Sequence, residues 1–155
     1  MISPELLRRY PFFGFMNDAQ LRRVVMSSEE VTLDAGDSLF EPDQKADWLY
    51  VLIEGGLDLV YVVIDRDDPR LKKEFFLGEL DPGDIVGLSA LVEPNLYTTA
   101  ARATKVSRLV KIEAAVLRDM CRDDSSLAYG LMRETAKTAM ARLHESRVLL
   151  AAARA

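Results

Sequence analysis

Trp48-Leu49-Tyr50-Val51-Leu52-Ile53-Glu54-Gly55-Gly56-Leu57-Asp58-Leu59-Val60-Tyr61-Val62-Val63-Ile64 is the stretch that decides the fold. Two runs rich in β-branched and aromatic residues flank Glu54-Gly55-Gly56, so the stretch reads as two strands joined by a glycine-punctuated hairpin. The same texture continues on both sides. Upstream, Val31-Thr32-Leu33 and Ser38-Leu39-Phe40 are separated by Asp34-Ala35-Gly36-Asp37. Downstream, Lys72 to Leu80 and Ile85 to Val92 are separated by Asp81-Pro82-Gly83-Asp84. Ala100 to Ile112 reads as a further strand pair, with Val106, Leu109, Val110 and Ile112 as its apolar members. Such short runs between turn residues predict an antiparallel sandwich or barrel. Leu33 to Asp37 and Leu80 to Asp84 repeat one turn pattern, in which glycine is free to take positive φ, and related corners are expected for them.

Helices are predicted at both ends. Leu6, Leu7, Tyr10, Phe13 and Phe15 are interrupted by Pro11 and Gly14. Asp18 then reads as the cap of a run with Leu21, Val24 and Val25 on one face, which gives two small helices. Ala114 to Arg122 is a short apolar-periodic piece, and Asp123-Asp124-Ser125-Ser126 supplies N-caps for the helix that follows. In that helix Tyr129, Met132, Ala136, Ala139, Leu143, Ser146 and Leu150 alternate spacings of three and four, a seam sustained over about three heptads. The seam either packs on the chain's own β-unit or pairs with the same helix of a second copy. Its narrowness, its small residues and the basic outer face favour a homodimer, with Met132, Ala136, Ala139, Leu143 and Leu150 at the interface.

The chain has 155 residues and a formal charge of −5. One domain is expected from the length, and the acidic balance disfavours general phosphate affinity. Charge is unevenly spread: residues 1–28 carry a net +2, residues 29–93 a net −12 and residues 94–155 a net +5. With one cysteine, Cys121, and one histidine, His144, neither an intrachain disulfide nor a Cys/His metal cluster can be assembled. A metal-dependent barrel enzyme and a Ser-His-Asp or Cys-His hydrolase are disfavoured by the same shortage, so no enzymatic activity and no cofactor are expected. Nothing at the start resembles a signal peptide and no stretch is apolar enough to span a membrane, so a cytoplasmic, soluble protein is expected. His144, followed by Glu145, reads as a solvated helical residue. Cys121 reads as a structural thiol, whose pKa the adjacent Arg118 and Arg122 would lower if it were exposed. Asp65-Arg66-Asp67-Asp68 reads as a hairpin tip, lacking the ligand spacing of a calcium loop.

Several of these segments together resemble the cyclic-nucleotide-binding-domain family. Ala46-Asp47, Tyr50 and the Gly55-Gly56 punctuation match the family's central segment, Gly36-Asp37 and Gly83-Asp84 match its two Gly-Asp turns, and Ile85-Val86-Gly87 resembles the start of its phosphate-binding cassette. The likeness spans roughly residues 5 to 150. It implies a mainly β fold, a jelly-roll-like double-stranded β-helix of about eight strands, with N-terminal helices and a long C-terminal dimerisation helix. Residues 1–155 then form one unit: helices in 1–28, the β-roll in 29–113 with the cassette at 83–99, and helices in 114–155.

The resemblance also implies where a ligand would sit, and there the sequence departs from the family. A cyclic nucleotide is held by backbone N–H groups, by an arginine on the phosphate oxygens and by a glutamate on the ribose 2′-hydroxyl. Gly87 occupies the family glycine position, but the glutamate position is Leu88. Counting back from Arg102-Ala103, the arginine position falls on Tyr97 and the next hydroxyl position on Thr98. Residues 85–99 contain no basic group, and Arg102 is expected to point elsewhere. High-affinity cyclic AMP or cyclic GMP binding is therefore not expected. The candidate site is Gly87, Leu88, Ser89, Tyr97, Thr98 and Thr99, with Leu88, Leu91 and Leu96 as apolar wall, suited to a neutral or weakly polar small molecule. In the family arrangement Thr135 and Thr138 would face a ligand's base. Two function classes follow: a non-catalytic regulatory sensor domain, or a structural or interaction module whose pocket is vestigial. The chain as given leaves no room for a DNA-binding helix-turn-helix after the last helix, so output is expected from a partner protein or from further segments of a longer chain.

Overall fold

The glycine pair at Gly55-Gly56 sends the chain from one sheet to another. In the computed structural model, which describes residues 2–155, β1 (Ser28–Leu33), β8 (Ser107–Glu113), β3 (Trp48–Glu54) and β6 (Ile85–Val86) form one antiparallel sheet in that order. The second sheet runs β2 (Ser38–Phe40), β7 (Ala100–Ala103), β4 (Leu57–Ile64) and β5 (Lys72–Leu80). Only β4 and β5 are both consecutive in the chain and hydrogen-bonded to each other; every other connection changes sheet. This is the jelly-roll-like arrangement expected, but two local readings are corrected. β3 and β4 are not a paired hairpin, and β7 and β8 are not a strand pair.

The cause is visible at the corner. Gly55 has φ +103°, and a Cβ there would lie 2.3 Å from Ser107 Oγ, so only glycine lets the turn dock against the start of β8. Gly56 N–H donates to Ser107 Oγ at 3.1 Å, and its carbonyl accepts from Thr104 N–H at 3.0 Å. Val106 therefore lies in an exposed turn between β7 and β8, while Leu109, Val110 and Ile112 are buried.

The two repeated turns make the same set of bonds. Asp34 N–H donates to the Asp37 carboxylate and Asp81 N–H to the Asp84 carboxylate, each at 2.8 Å. Asp37 and Asp84 N–H then close back on the Asp34 and Asp81 carbonyls at 3.0 Å. Gly36 and Gly83, both at positive φ, donate to Ala103 and Leu52 carbonyls, so each turn pins a strand end of one of the two sheets. The core between the sheets holds fully buried Leu49, Leu52, Leu57, Leu80, Leu109 and Ile112, each worth about 1.5–3 kcal/mol relative to exposure.

Two N-terminal helices, α1 (Pro4–Arg8) and α2 (Asp18–Met26), flank the roll. The cap of α2 is Asn17, not Asp18: the Asn17 side chain accepts from Gln20 N–H and the Gln20 side chain accepts from Asn17 N–H, both at 2.9 Å. This reciprocal box satisfies two orphan donors, which leaves Asp18 as the first helical residue. At the other end come α3 (Ala114–Asp123) and the 30-residue α4 (Ser125–Arg154), with Asp124 capping Ser126 and Leu127 N–H. Leu127, Leu131 and Thr135, spaced by four, form the face of α4 buried against its own chain. Gly130 lets the Phe15 ring reach the helix, since a Cβ there would stand 2.4 Å from it. The heptad seam is an adjacent strip, and Tyr129, Met132, Ala136, Leu143 and Leu150 on it are exposed.

At the β4–β5 tip Asp65 accepts from Asp67 and Asp68 N–H, an ordinary side-chain-capped turn. Cys121 is half-buried, and burial pushes its thiol pKa up, so the adjacent arginines do not activate it. Among the described residues no cluster of three or more potential metal ligands forms, and no helix is long and apolar enough to cross a membrane.

Candidate functional site

The cassette begins where β6 ends. Gly87 takes φ +86°, and a Cβ at that position would lie 3.1 Å from the Tyr97 ring and 3.3 Å from the Trp48 carbonyl oxygen, so the turn needs glycine on both grounds. Leu88–Leu91 form a short 3₁₀ turn. Asn95, itself at positive φ, holds it by donating from Nδ2 to the carbonyls of Ser89, Ala90 and Val92 at 3.0–3.2 Å. Arg118 of α3 adds a bond to the Ala90 carbonyl at 2.8 Å. The returning segment pairs with residues 43–46 through Asp43, Tyr97 and Ala46 N–H groups.

These constraints enclose a cavity of about 280 Å³ between the cassette, the second sheet and α4. Gly87, Leu88, Ser89, Tyr97, Thr98 and Thr99 all line it. Of the expected apolar wall only Leu88 contributes: Leu91 is buried in the core and Leu96 is turned outward. Phe40, Leu59, Leu77 and Val86 complete the apolar lining. Tyr97 is buried, stacked on Phe40 with ring centroids 3.8 Å apart, and its hydroxyl donates to the Trp48 carbonyl at 2.7 Å. Burial pushes the phenol pKa well above its ordinary value, so Tyr97 is a neutral donor at all physiological pH. Position 88 thus offers a hydrocarbon and position 97 a hydroxyl already bonded to the backbone.

Thr135 and Thr138 do not line the cavity; each hydroxyl donates to the carbonyl one turn earlier, Leu131 at 2.8 Å and Glu134 at 3.0 Å. Arg102 is also outside it, held by Glu74 through two bonds of 2.5 and 2.9 Å and by Glu41 at 3.6 Å. The cassette stretch lacks a cation, yet the cavity does not: Arg142 of α4 lines it, together with Glu145, Ala139 and Ser146 of the same helix. Reading along the cassette could not reveal these residues. Ala139 and Ser146 belong to the heptad seam and line the chain's own cavity, while Arg142 and Glu145, at successive steps of three from Ala139, leave no other trace in the sequence than that spacing.

A family model described as the cyclic nucleotide-binding domain matches residues 30–124. Among solved structures, a candidate cyclic nucleotide-binding protein of Geobacter metallireducens is 40% identical, with a TM-score of 0.80, covering 93% of this chain and 100% of that one. The N-terminal domain of a transcriptional regulator from Streptomyces coelicolor is 29% identical, with a TM-score of 0.65 over 85% of this chain and 90% of that one. The sensor domain of the transcriptional regulator DNR from Pseudomonas aeruginosa shares the fold at 21% identity and a TM-score of 0.71, covering 87% of this chain and 91% of that one. No curated protein matches the chain. The match over residues 30–124 takes in the β-roll, the cassette and α3, and with it this chain belongs to the cyclic nucleotide-binding domain family.

Proposed function

We propose that the chain is a non-catalytic regulatory sensor domain that takes a small molecule in the cassette cavity and does not bind cyclic AMP or cyclic GMP tightly. The observation that carries this reading is the cavity of about 280 Å³, walled by the cassette on one side and by α4 on another. A ligand there touches both elements at once, so its binding energy can bias how the helix sits on the roll. The volume lies just below the usual range for ligand pockets, about 300–1,000 Å³, and so suits a compact ligand. Leu88 and Tyr97 stand where the family carries its glutamate and arginine. The exposed strip Met132, Ala136, Leu143 and Leu150, with Ala139 at its border, supports a homodimer through α4, since apolar strips of this kind mark association surfaces. Signal output passes to a partner protein or an attached segment.

The test is thermal denaturation of the purified chain against cyclic AMP, cyclic GMP and a broad metabolite library. A ligand that binds only the native state raises its stability. A shift from one or more library members with none from the cyclic nucleotides is the expected result, and tight cyclic AMP binding would overturn it. Silence across the whole library favours the second reading, an interaction module. The exposed Tyr61, Phe75 and Phe76 of the β4–β5 hairpin support that alternative.

A further inference from the structure

Arg142 is the one cation among the described residues that line the cassette cavity. Its Nη2 donates to the Ile85 carbonyl, one residue ahead of β6's end. It makes no salt bridge with any described residue. Asp84 and Glu145 act on it through space, and burial lowers its pKa from the usual arginine value because the charge is partly desolvated. A guanidinium carries five N–H donors in a planar fork, and one backbone acceptor leaves most of that fork open. None of its nitrogens is among the sealed polar atoms that lack a partner, so the nitrogens without a partner in the chain keep some exposure, and the residue lines the cavity. A half-buried guanidinium with free donors at a cavity wall fits an oxyanion better than any neutral group.

The remaining lining restricts which anion. Phe40, Leu59, Leu77 and Leu88 give an apolar surface to one part of a ligand. Glu145 lines the same cavity and, with Asp84 acting on Arg142 through space, offsets the guanidinium charge, which opposes a second negative charge on the ligand. We infer that Arg142 is a ligand-binding residue and that the cavity takes a compact organic monoanion, a carboxylate at Arg142 carried on an apolar body. The inference rests on the cavity being the ligand site, and it names the class of ligand that site selects.

Calorimetric titration of the full chain with phenylacetate and hexanoate, each against its own amide, tests it. A charge-assisted fork predicts that each acid binds about ten- to one-hundred-fold more tightly than its amide. Arg142→Gln removes that preference, Arg142→Lys retains part of it, and Glu145→Gln, an exposed position where folding is not at stake, tightens the acids and admits phenyl phosphate. Amides that bind as well as acids, in parent and Arg142→Gln alike, overturn the inference while leaving the cavity as a ligand site. Failure of both acids to bind also overturns it, whatever the metabolite library shows. Cyclic AMP binding that is lost in Arg142→Gln would instead assign Arg142 to a cyclic phosphate and overturn the carboxylate assignment.

Discussion

Leu88→Glu with Tyr97→Arg, which places a glutamate and an arginine at these two cassette positions, is expected to raise cyclic-nucleotide affinity above the parent's. The gain is two charge-assisted contacts of about 1.5–3 kcal/mol each, together about two to four orders of magnitude in Kd. The loss falls on the fold. Tyr97 gives up its 2.7 Å bond to the Trp48 carbonyl and its 3.8 Å stack on Phe40, about 0.5–1.5 kcal/mol each. For a domain of this size, a total of about 1–3 kcal/mol lowers Tm by roughly 2–12 °C. Leu88→Glu alone leaves the aromatic stack intact and is the control for stability. Urea unfolding of all three proteins, followed by calorimetric titration with cyclic AMP, separates the two effects. A folded double variant that binds no better than the parent would refute the assignment of positions 88 and 97. Tight binding by the parent would refute the view that those side chains decide affinity.

Leu143→Glu places a charge in the exposed strip of α4, and light scattering is expected to show a dimer for the parent and monomers for the variant; an unchanged mass returns the strip to a purely intrachain role. Burial raises the phenol pKa values of Tyr50 and Tyr97, so native stability is fully present below about pH 10 and is lost as the pH rises toward their folded values, by about 1.4 kcal/mol per pH unit per phenol. Tyr97→Phe removes one of these contributions, and urea midpoints between neutral and strongly alkaline pH should fall less steeply than the parent's; equal slopes would mean that Tyr97 ionises freely. Gly130→Ala would gain about 1 kcal/mol in an unobstructed helix, but here the new methyl meets the Phe15 ring at 2.4 Å, so calorimetric melting should show a net loss, and a raised Tm would count against this packing.

The strands and helices follow from local sequence. Residues 28–33, 38–40, 48–54, 57–64, 72–80 and 107–113 are strands where short apolar runs meet turn residues, because alternation and turn chemistry are local properties. The twin Asp-x-Gly-Asp turns were legible for the same reason, and so was the lack of any basic residue in 85–99, which needs only a count along the chain. Pairing was not legible. Gly55-Gly56 looks the same in sequence whether the chain folds back on its neighbour or crosses to the other sheet; the choice was made by Ser107, some fifty residues away, whose hydroxyl bonds the corner and whose bulk excludes a Cβ. The capping of α2 turned on a reciprocal Asn17–Gln20 pair one residue before the acid that first attracts the eye. The charge of the site was likewise a tertiary decision. Reading residues 85–99 gives a cavity without a cation, whereas the fold lays α4 across the cassette and brings Arg142 to its wall from more than forty residues downstream. Local composition fixes what each segment can become, but a pocket's field is the sum over whichever segments the packing brings together, and that sum exists only once the chain has folded.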